Sequence, residues 1–219
     1  MSLPRPAALL FDLDGTLVDS RRDIAAVLNV ALGQLGRAPL PLEMVLPMVG
    51  DGARMLVMRA LLVGEDAPGP DDLVVDRGLA LYNEAYLAAP CVHTVVLPGV
   101  TRALALGLPT ALVTNKPRNV SLALLDALGL RDAFGAIYAS GDGPLKPSPD
   151  GIRTVCRAIG VSPSDTWMIG DGPQDVLAAR NAGATAIAVA GIAEREAVLA
   201  AGPHVVLATL EELPQLLSV

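Results

Sequence analysis

Two aspartates, Asp12 and Asp14, stand one residue apart where the apolar run ends in "LLFDLDGTLVDS", residues 9–20. An unpaired carboxylate is costly to bury, so such side chains at the end of a buried strand need a cation beside them. Because Asp-Gly is also a common turn pair, Asp14 and Gly15 could instead do no more than reverse the chain. The other polar groups that follow apolar runs are Thr114 with Asn115, Lys146 and Asp171.

Brought together, these side chains suit phosphoryl transfer. Neighbouring carboxylates favour a hard cation, and Mg²⁺ typically takes one or two carboxylates, several waters and a phosphate oxygen. A carboxylate such as Asp12 can attack phosphorus and form an aspartyl-phosphate, while a metal and an ammonium offset the charge on the transferring oxygens. A second carboxylate two residues on, Asp14, can protonate the leaving oxygen and later activate water. The pattern favours a Mg²⁺-dependent reaction on a phosphate ester.

Lysine is scarce in this chain, because 14 of the 16 basic residues are arginine. The two lysines are Lys116 and Lys146. A position that keeps lysine indicates a need for a compact ammonium rather than a planar guanidinium. Lys146, in the loop "GDGPLKPSPD", is therefore the expected partner of the carboxylates. For Lys116 two interpretations stay open, a contact with substrate or with another part of the chain, and an ordinary surface charge.

The apolar runs predict strands that end at these polar groups. The runs are continuous rather than alternating, which is typical of strands covered on both faces. Helical patterns lie between them and end near glycine, a common C-terminal stop. Strand–helix alternation of this kind predicts an α/β fold with a Rossmann-like, doubly wound parallel sheet, whose ligands sit beyond the carboxyl ends of the strands. The predicted strands are 7–12, 109–115, 135–140, 166–171 and 185–190, with 204–209 as a sixth candidate, and the helices between them are 118–130, 149–160 and 173–183.

Residues 18–90 interrupt the alternation with helical patterns at 23–36, 50–63 and 71–89. The segment "GEDAPGPDD", residues 64–72, is a polar connector between two of them. A helical block after the first strand of an α/β sheet indicates an inserted cap. We therefore predict an α/β core of residues 1–17 and 91–219 and an inserted α-helical cap of residues 18–90.

Composition narrows the class of partner. The formal charge of −7 and the pI near 4.7 argue against nucleic-acid binding, which usually needs a basic stripe. No apolar stretch is long enough to predict a membrane span, and the N-terminus does not resemble a signal peptide. The two cysteines, Cys91 and Cys156, make no disulfide framework or metal motif, which favours a cytoplasmic setting. The expected partner is a small molecule; the oligomeric state cannot be predicted.

Four motifs in order resemble those of one enzyme family. The stretch "FDLDGTLVDS" is similar to the DxDGT motif of phosphatases in the haloacid dehalogenase superfamily, and "LVTN" resembles the second motif. Lys146 in "GPLKPSPD" resembles the third, and "IGDGPQD" resembles the fourth, GDxxxD. The helical block after the first motif resembles that family's C1 cap. The stretches "LVTNKP" and "LPGV" are most similar to the phosphoglycolate phosphatase-like branch.

The resemblance implies roles for the matching residues. Asp12 would be the nucleophile and a metal ligand, and Asp14 the general acid and base whose backbone carbonyl binds Mg²⁺. Lys146 would fix the nucleophile and the phosphate, and Asp171 would bind the metal directly or through water. The expected catalytic set also includes Thr114, which would hold the phosphate.

The remaining candidates have weaker support from the motifs, and most of them have an alternative interpretation. The Asn115 amide would hold the phosphate with Thr114, yet both residues could instead cap a helix beginning near Pro117. Asp175 would support the metal site, or act only as a first-turn acid. Gly172 departs from the family, which often has serine there, and a lost hydroxyl should weaken positioning modestly. In the cap, Arg54 is a candidate for binding a substrate carboxylate, or an ordinary surface arginine.

The expected function is hydrolysis of a small-metabolite phosphate monoester, phosphoglycolate-like, through an aspartyl-phosphate. A phosphomutase, which returns the phosphoryl group to the substrate, is the enzyme alternative. A receiver-type regulatory domain is the non-enzyme alternative, although it would need neither a cap nor an acid two residues after the nucleophile. Dehalogenation would leave Asp14 and Asp171 without an evident task.

Overall fold

The computed structural model describes residues 3–64 and 71–217. A parallel sheet of six strands forms its centre, in the order β5-β4-β1-β6-β7-β8. Chain order reverses direction on either side of β1, as in a doubly wound sheet, so the predicted α/β fold is confirmed. The strands are β1 (Ala8–Phe11), β2 (Val18–Asp19), β3 (Val95–Val96), β4 (Thr110–Pro117), β5 (Ala136–Ser140), β6 (Thr166–Gly170), β7 (Thr185–Val189) and β8 (Val205–Leu207).

Helices connect consecutive strands and surround the sheet. Among them, α6, α7 and α8 join β4 to β5, β5 to β6 and β6 to β7, and they match the predicted helices closely. Two of these helices end at a left-handed glycine, Gly160 and Gly183, as the C-terminal stop signals indicated. The helices are α1 (Arg21–Gln34), α2 (Leu42–Val45), α3 (Ala53–Leu61), α4 (Asp72–Ala88), α5 (Val100–Leu104), α6 (Arg118–Ala127), α7 (Asp150–Ile159), α8 (Pro173–Ala182), α9 (Arg195–Ala200) and α10 (Leu213–Leu216).

The central strand β1 is buried on both faces. Leu9 and Phe11 pack into one hydrophobic cluster with Trp167, while Leu10 packs into a second cluster with Met168. Because successive side chains of a strand point to opposite faces, a strand between two helical layers must be apolar at every position. This burial explains the continuous apolar runs, and it leaves the polar residues of each run only at the strand end.

Helices α1, α3 and α4 pack on a hydrophobic cluster of their own, with Leu28, Leu61 and Tyr86 fully or almost fully buried. These helices lie where the sequence predicted the cap, and "cap" below means residues 18–90. Its exact division from the core stays a prediction. Of the predicted connector 64–72, residues 65–70 lie outside the described part of the chain.

A short antiparallel ribbon pairs the first residues of the cap with the segment that follows it. Sequence periodicity did not predict this ribbon. Val18 pairs with Val96 and Asp19 with Val95. Near it, the buried Asp23 carboxylate accepts hydrogen bonds from the backbone of residues 92–94 and from the Thr94 hydroxyl. Strands of two residues are too short to carry a periodic signal, so only the folded chain reveals this ribbon.

Across residues 3–64 and 71–217, none of the helices has the length and the apolar character that crossing a bilayer requires.

Candidate active site

Asp12 follows β1 directly and lies at the carboxyl edge of the sheet. Its side chain is almost fully buried, and its Oδ1 accepts a hydrogen bond of 2.7 Å from the Nζ of Lys146. Burial raises the pKa of Asp12 to about 6, against the opposing effect of the Lys146 ammonium, and the nearby Asp175 carboxylate adds to the rise. Its Oδ2 has no hydrogen-bond donor among the described residues, so one oxygen is left for a metal or a substrate.

Lys146 is the cation that the buried carboxylates need, because its ammonium lies between two of them, Asp12 and Asp175. Nζ donates to Asp12 Oδ1, to Asp175 Oδ1 at 2.6 Å and to the backbone oxygen of Val113 at 2.8 Å. Burial alone would lower the pKa of Lys146, but Asp12 and Asp175 outweigh it and raise the pKa to about 12. Three acceptors take up the three N–H groups of an ammonium, which holds the charge in one place.

Asp175 lies in the first turn of α8 and has both oxygens engaged. Oδ1 accepts from Lys146, and Oδ2 accepts from the backbone N–H of Gly172 at 3.0 Å. Asp175 therefore does cap the first turn of α8, but it also contacts Lys146 and belongs to the acidic cluster, so it is not only a first-turn acid. A Cβ at Gly170 would lie 2.2 Å from Asp175 Cγ, so the carboxylate reaches its place only because that strand residue has no side chain.

Asp171 follows β6 and has no cationic partner among the described residues. Its Oδ2 accepts from the backbone N–H groups of Ile192 at 2.6 Å and Ala193 at 3.4 Å. Burial raises the pKa of Asp171 to about 8, and the charges of Asp12 and Asp175 act in the same direction. The side chain is 4% exposed, so a buried carboxylate is left without a counter-charge.

The three carboxylates form one cluster, with a ligand oxygen from each of Asp12, Asp171 and Asp175 within 4.8 Å of the others. One ammonium offsets only part of this negative charge, and a divalent cation would offset the rest. The donor set, all carboxylate oxygens, suits a hard cation such as Mg²⁺. Gly15 adjoins the cluster at φ +83°, where a Cβ would lie 2.2 Å from Asp171 Oδ2. The chain does turn at Gly15, but the residues do more than reverse it, since this turn makes room for the acidic cluster.

Asp14 points away from the cluster, toward Lys116. The Nζ of Lys116 donates to both carboxylate oxygens, at 2.9 and 3.1 Å, and to the phenol of Tyr86 at 3.0 Å. The Ser20 hydroxyl also donates to Asp14. Lys116 is therefore buried in the site rather than exposed, and it also contacts the cap, which makes the surface-charge interpretation wrong.

Thr114 and Asn115 occupy the last part of β4, after its pairing with β5 loses register. Thr114 is buried and accepts from the backbone N–H of Lys116 at 3.2 Å. The Asn115 side chain donates to the carbonyls of Gly50 and Lys146 and accepts from the Lys146 N–H. It thus ties the cap to the loop that carries Lys146. Helix α6 begins at Arg118 without a side-chain cap, so the capping alternative for these two residues is not found.

A cavity of about 60 Å³ lies over these side chains. Its floor is the polar edge of the sheet, and its roof is largely apolar and comes from the cap. A cavity this small, polar below and apolar above, suits a small polar molecule with few carbon atoms. Its walls are Asp12, Asp14, Thr114, Asn115, Lys116, Pro117, Lys146, Asp171, Gln174, Ile192 and Ala193 from the core and Ile24, Val49, Gly50, Gly52, Ala53, Leu56 and Tyr82 from the cap.

Arg54 is not brought to this cavity. Its half-exposed guanidinium pairs with Asp72 at 2.7 Å and with Asp76, both on the neighbouring α4. The side chain lines an adjoining cleft between cap and core, which Arg118 also lines. Ala53, one residue earlier on α3, lines the cavity instead. The predicted contact of Arg54 with substrate finds no support in its position.

The arrangement has a counterpart in a known family. The family model for haloacid dehalogenase-like hydrolases matches residues 6–183, most of the chain and all four motifs. The chain belongs to this family. The expected family and the prediction of a hydrolase are thereby confirmed.

Two curated relatives of this haloacid dehalogenase-like hydrolase are named phosphoglycolate phosphatase, which confirms the prediction of a phosphatase. A phosphoglycolate phosphatase from Chromobacterium violaceum is 40% identical over 194 residues, covering 86% of this chain and 87% of that protein. A phosphoglycolate phosphatase from Pseudomonas putida is 41% identical over 183 residues, covering 81% of this chain and 67% of the relative.

Solved structures of similar proteins share the fold of this hydrolase over nearly its full length. A predicted phosphoglycolate phosphatase from Haemophilus somnus superposes with a TM-score of 0.88 at 24% identity, covering 98% of this chain and 99% of that one. A predicted phosphatase from Clostridium acetobutylicum superposes with a TM-score of 0.85 at 25% identity, covering 99% and 100%.

The site of the hydrolase contains residues to which the motifs assigned no role. Ser20 contacts Asp14, Tyr82 lines the cavity and Tyr86 contacts Lys116. Tyr86 reads from sequence as one apolar position of an amphipathic helix. The scarcity of lysine was the signal that could have placed Lys116 here.

Proposed function

We propose that the protein hydrolyses a small phosphate monoester through a phosphoryl group carried on Asp12. The observation that carries the proposal is the convergence of Asp12, Asp14, Lys146 and Asp171 on one small cavity, although they lie far apart in sequence. Asp12 offers an oxygen without a donor, held rigid by Lys146 through the other oxygen. A fixed, partly desolvated carboxylate is suited to attack on phosphorus.

The chemistry would run in two steps. In the first, an Asp12 oxygen bonds to phosphorus, the bond from phosphorus to the ester oxygen breaks, and Asp14 gives its proton to the leaving oxygen. In the second, Asp14 takes a proton from water, whose oxygen attacks phosphorus and releases phosphate, restoring the Asp12 carboxylate. Asp14 faces the same cavity as Asp12, which supports this division of roles.

Phosphate oxygens would meet three groups on the cavity floor. Thr114 lies at the strand end beside Asp12, with a hydroxyl able to donate. The Asn115 amide is the second proposed donor; because its side chain is engaged elsewhere, the backbone N–H is the part that we assign to phosphate. Lys146 adds positive charge next to the transferring group.

Mg²⁺ is the proposed cofactor. Asp12 and Asp171 would hold it through the carboxylate oxygens that have no donor among the described residues, and the Asp14 backbone carbonyl is the third proposed ligand. Asp175 would support the ligands from its place between Lys146 and Gly172. Gly172 offers no side-chain hydroxyl, but Asp175 accepts a hydrogen bond from its backbone N–H, so we expect only a modest effect on positioning. When bound, the metal would neutralise charge on the phosphate oxygens.

Removing divalent metal should stop turnover. With excess EDTA we expect phosphate release to fall at least about 100-fold, because a Lewis acid is worth several kcal/mol of charge stabilisation. Returning Mg²⁺ should restore the rate. The test is a colorimetric phosphate assay before and after chelation, and full activity in EDTA would contradict the metal assignment.

The proposed substrate is 2-phosphoglycolate or a close analogue. The name of the relatives and the small volume of the cavity both support a short leaving group. Apolar cap residues such as Ile24 and Leu56 would exclude bulk water from the reacting centre. That nucleic acid and membranes are not partners, and that the protein is cytoplasmic, stay predictions from composition.

A screen of purified protein against phosphate esters, beginning with 2-phosphoglycolate, tests this function. We expect stoichiometric release of phosphate with multiple turnovers. Isomerised ester without free phosphate would instead indicate a phosphomutase. A stable phosphoprotein that never turns over would indicate a receiver-type domain, and either result would overturn the proposal.

A further inference from the structure

Lys116 is a charged residue of the cavity that the two-step chemistry leaves without a task. It lies in the last part of β4 with its side chain 3% exposed, and it faces the same cavity as Asp12. Among the described residues, its Nζ contacts the Asp14 carboxylate and Tyr86, at 3.0 Å from the phenol oxygen and 4.3 Å from the ring centre. Burying an ammonium costs solvation free energy, which the ion pair with Asp14 offsets.

The ammonium of Lys116 stays charged in this place. Its Nζ lies 2.9 Å from an oxygen of the Asp14 carboxylate, and a buried ammonium is stable when it is paired in this way. The ion pair places a positive charge on the Asp14 side of the cavity. That charge is distinct from Lys146, which lies on the Asp12 side.

The two cavity lysines differ in the hydrogen-bond acceptors that surround their ammonium groups. Lys146 has three separate acceptor groups for its three N–H bonds, so an incoming anion would have to displace one of them. Lys116 also has three acceptor atoms, but two of them belong to the one Asp14 carboxylate and the third is a neutral phenol, so an incoming anion can replace one contact while the ion pair with Asp14 is kept. A second anion beside Asp14 can share this ammonium. Among the described residues that line the cavity, Lys116 is thus the cation that an anionic leaving group would meet.

The position of Lys116 also selects the kind of leaving group. Asp14 must reach the ester oxygen that leaves, and Lys116 lies within hydrogen-bond distance of Asp14. A group that binds beside both must be close to that oxygen in the substrate. In a 2-phosphooxy carboxylate, one carbon separates the ester oxygen from the carboxylate. Longer acids would carry their carboxylate past Lys116 into the apolar roof of Ile24, Leu56 and Tyr82.

We propose that Lys116 binds the carboxylate of esters that carry it on the carbon next to the ester oxygen, and so determines specificity for 2-phosphooxy acids. The inference rests on the proposed function, since it takes a phosphate ester in this cavity and Asp14 at its leaving oxygen. Tyr86, reaching from α4 of the cap, accepts a hydrogen bond of 3.0 Å from the ammonium and so helps to fix its position. Arg54, predicted to bind such a carboxylate, is held elsewhere by Asp72 and Asp76.

Two esters of equal length test this assignment. In 2-hydroxyethyl phosphate a neutral hydroxymethyl group replaces the carboxylate of 2-phosphoglycolate. We expect wild-type kcat/KM to favour 2-phosphoglycolate, and the Lys116→Met variant to lose about 100-fold on it, as expected for a lost charged hydrogen bond. Because Lys116 also contacts Asp14, both rates will fall somewhat, so the decisive readout is the ratio of the two kcat/KM values. It should drop at least about tenfold.

The control is Arg131→Met, which removes an exposed cation paired with Asp126 and should leave the ratio unchanged. Thermal melting checks that the Lys116→Met variant is folded. If the variant does not fold, the ratio of the two kcat/KM values of the wild-type enzyme still tests the assignment. A wild-type enzyme that hydrolyses both esters equally well, or a variant that slows both by the same factor, overturns the assignment and leaves the proposed function standing. A wild-type enzyme that hydrolyses neither ester removes the inference together with the proposed function.

Discussion

Asp12→Asn is expected to reduce kcat on a phosphate ester by at least about 10⁴-fold, because an amide is not a nucleophile and the covalent route is lost. The fold should survive, since asparagine has the same size and its Oδ1 can still accept from Lys146. Burial already raises the pKa of Asp12, so a neutral side chain there relieves a desolvation cost. The free energy of unfolding should not decrease by more than about 1 kcal/mol.

Steady-state phosphate release and acid quenching of the enzyme during turnover together check this expectation. After acid quenching, wild-type protein should carry a covalently bound phosphoryl group, and the Asp12→Asn variant should carry none. Asp126→Asn is the matched control, because it makes the same change in an exposed carboxyl that pairs with Arg131, and it should retain full activity. Activity of Asp12→Asn within tenfold of wild type would remove Asp12 from the nucleophile role.

Lys146→Arg is expected to cost about 10³-fold in kcat although it keeps the charge. The ammonium is surrounded by Asp12, Asp175 and the Val113 carbonyl at 2.6 to 2.8 Å, with 2% of the side chain exposed. A planar guanidinium cannot reach three acceptors around one nitrogen, and it needs room that this buried site lacks. The nucleophile would therefore move, and a displacement of one ångström is enough to slow a positioned reaction severely.

Kinetics with the same ester, together with thermal melting, separates loss of positioning from loss of fold. Arg131→Lys makes the reverse exchange at an exposed ion pair and should change neither quantity. An unimpaired Lys146→Arg enzyme would show that any positive charge suffices, and it would refute the argument from lysine scarcity.

The motif residues could be located from sequence because local rules place them. Asp12 and Asp171 each follow a continuous apolar run, and such a run is typical of a strand covered on both faces. The carboxyl ends of parallel strands meet at one edge, so knowing the strands was enough to bring these carboxylates together. Lysine scarcity pointed to Lys146 for a reason of chemistry rather than of structure.

Other predicted roles depended on contacts that local rules do not describe. Arg54 is on the predicted helix, yet the packing of α3 against α4 places it beside Asp72 and Asp76. Asn115 is at the predicted strand end, but its side chain links Gly50 to the Lys146 loop. In both cases the partner lies on a segment whose approach is decided by packing.

The sequence by itself determined the α/β fold, the family and the edge of the sheet where Asp12, Lys146 and Asp171 meet. Those features follow from hydrophobic periodicity and from motifs only a few residues long. Only the tertiary structure decided that Lys116 is buried between Asp14 and Tyr86, and that the cap closes the cavity with apolar side chains. The physical reason is that these contacts join residues about thirty to one hundred positions apart, whose meeting depends on how the cap helices dock rather than on any local preference.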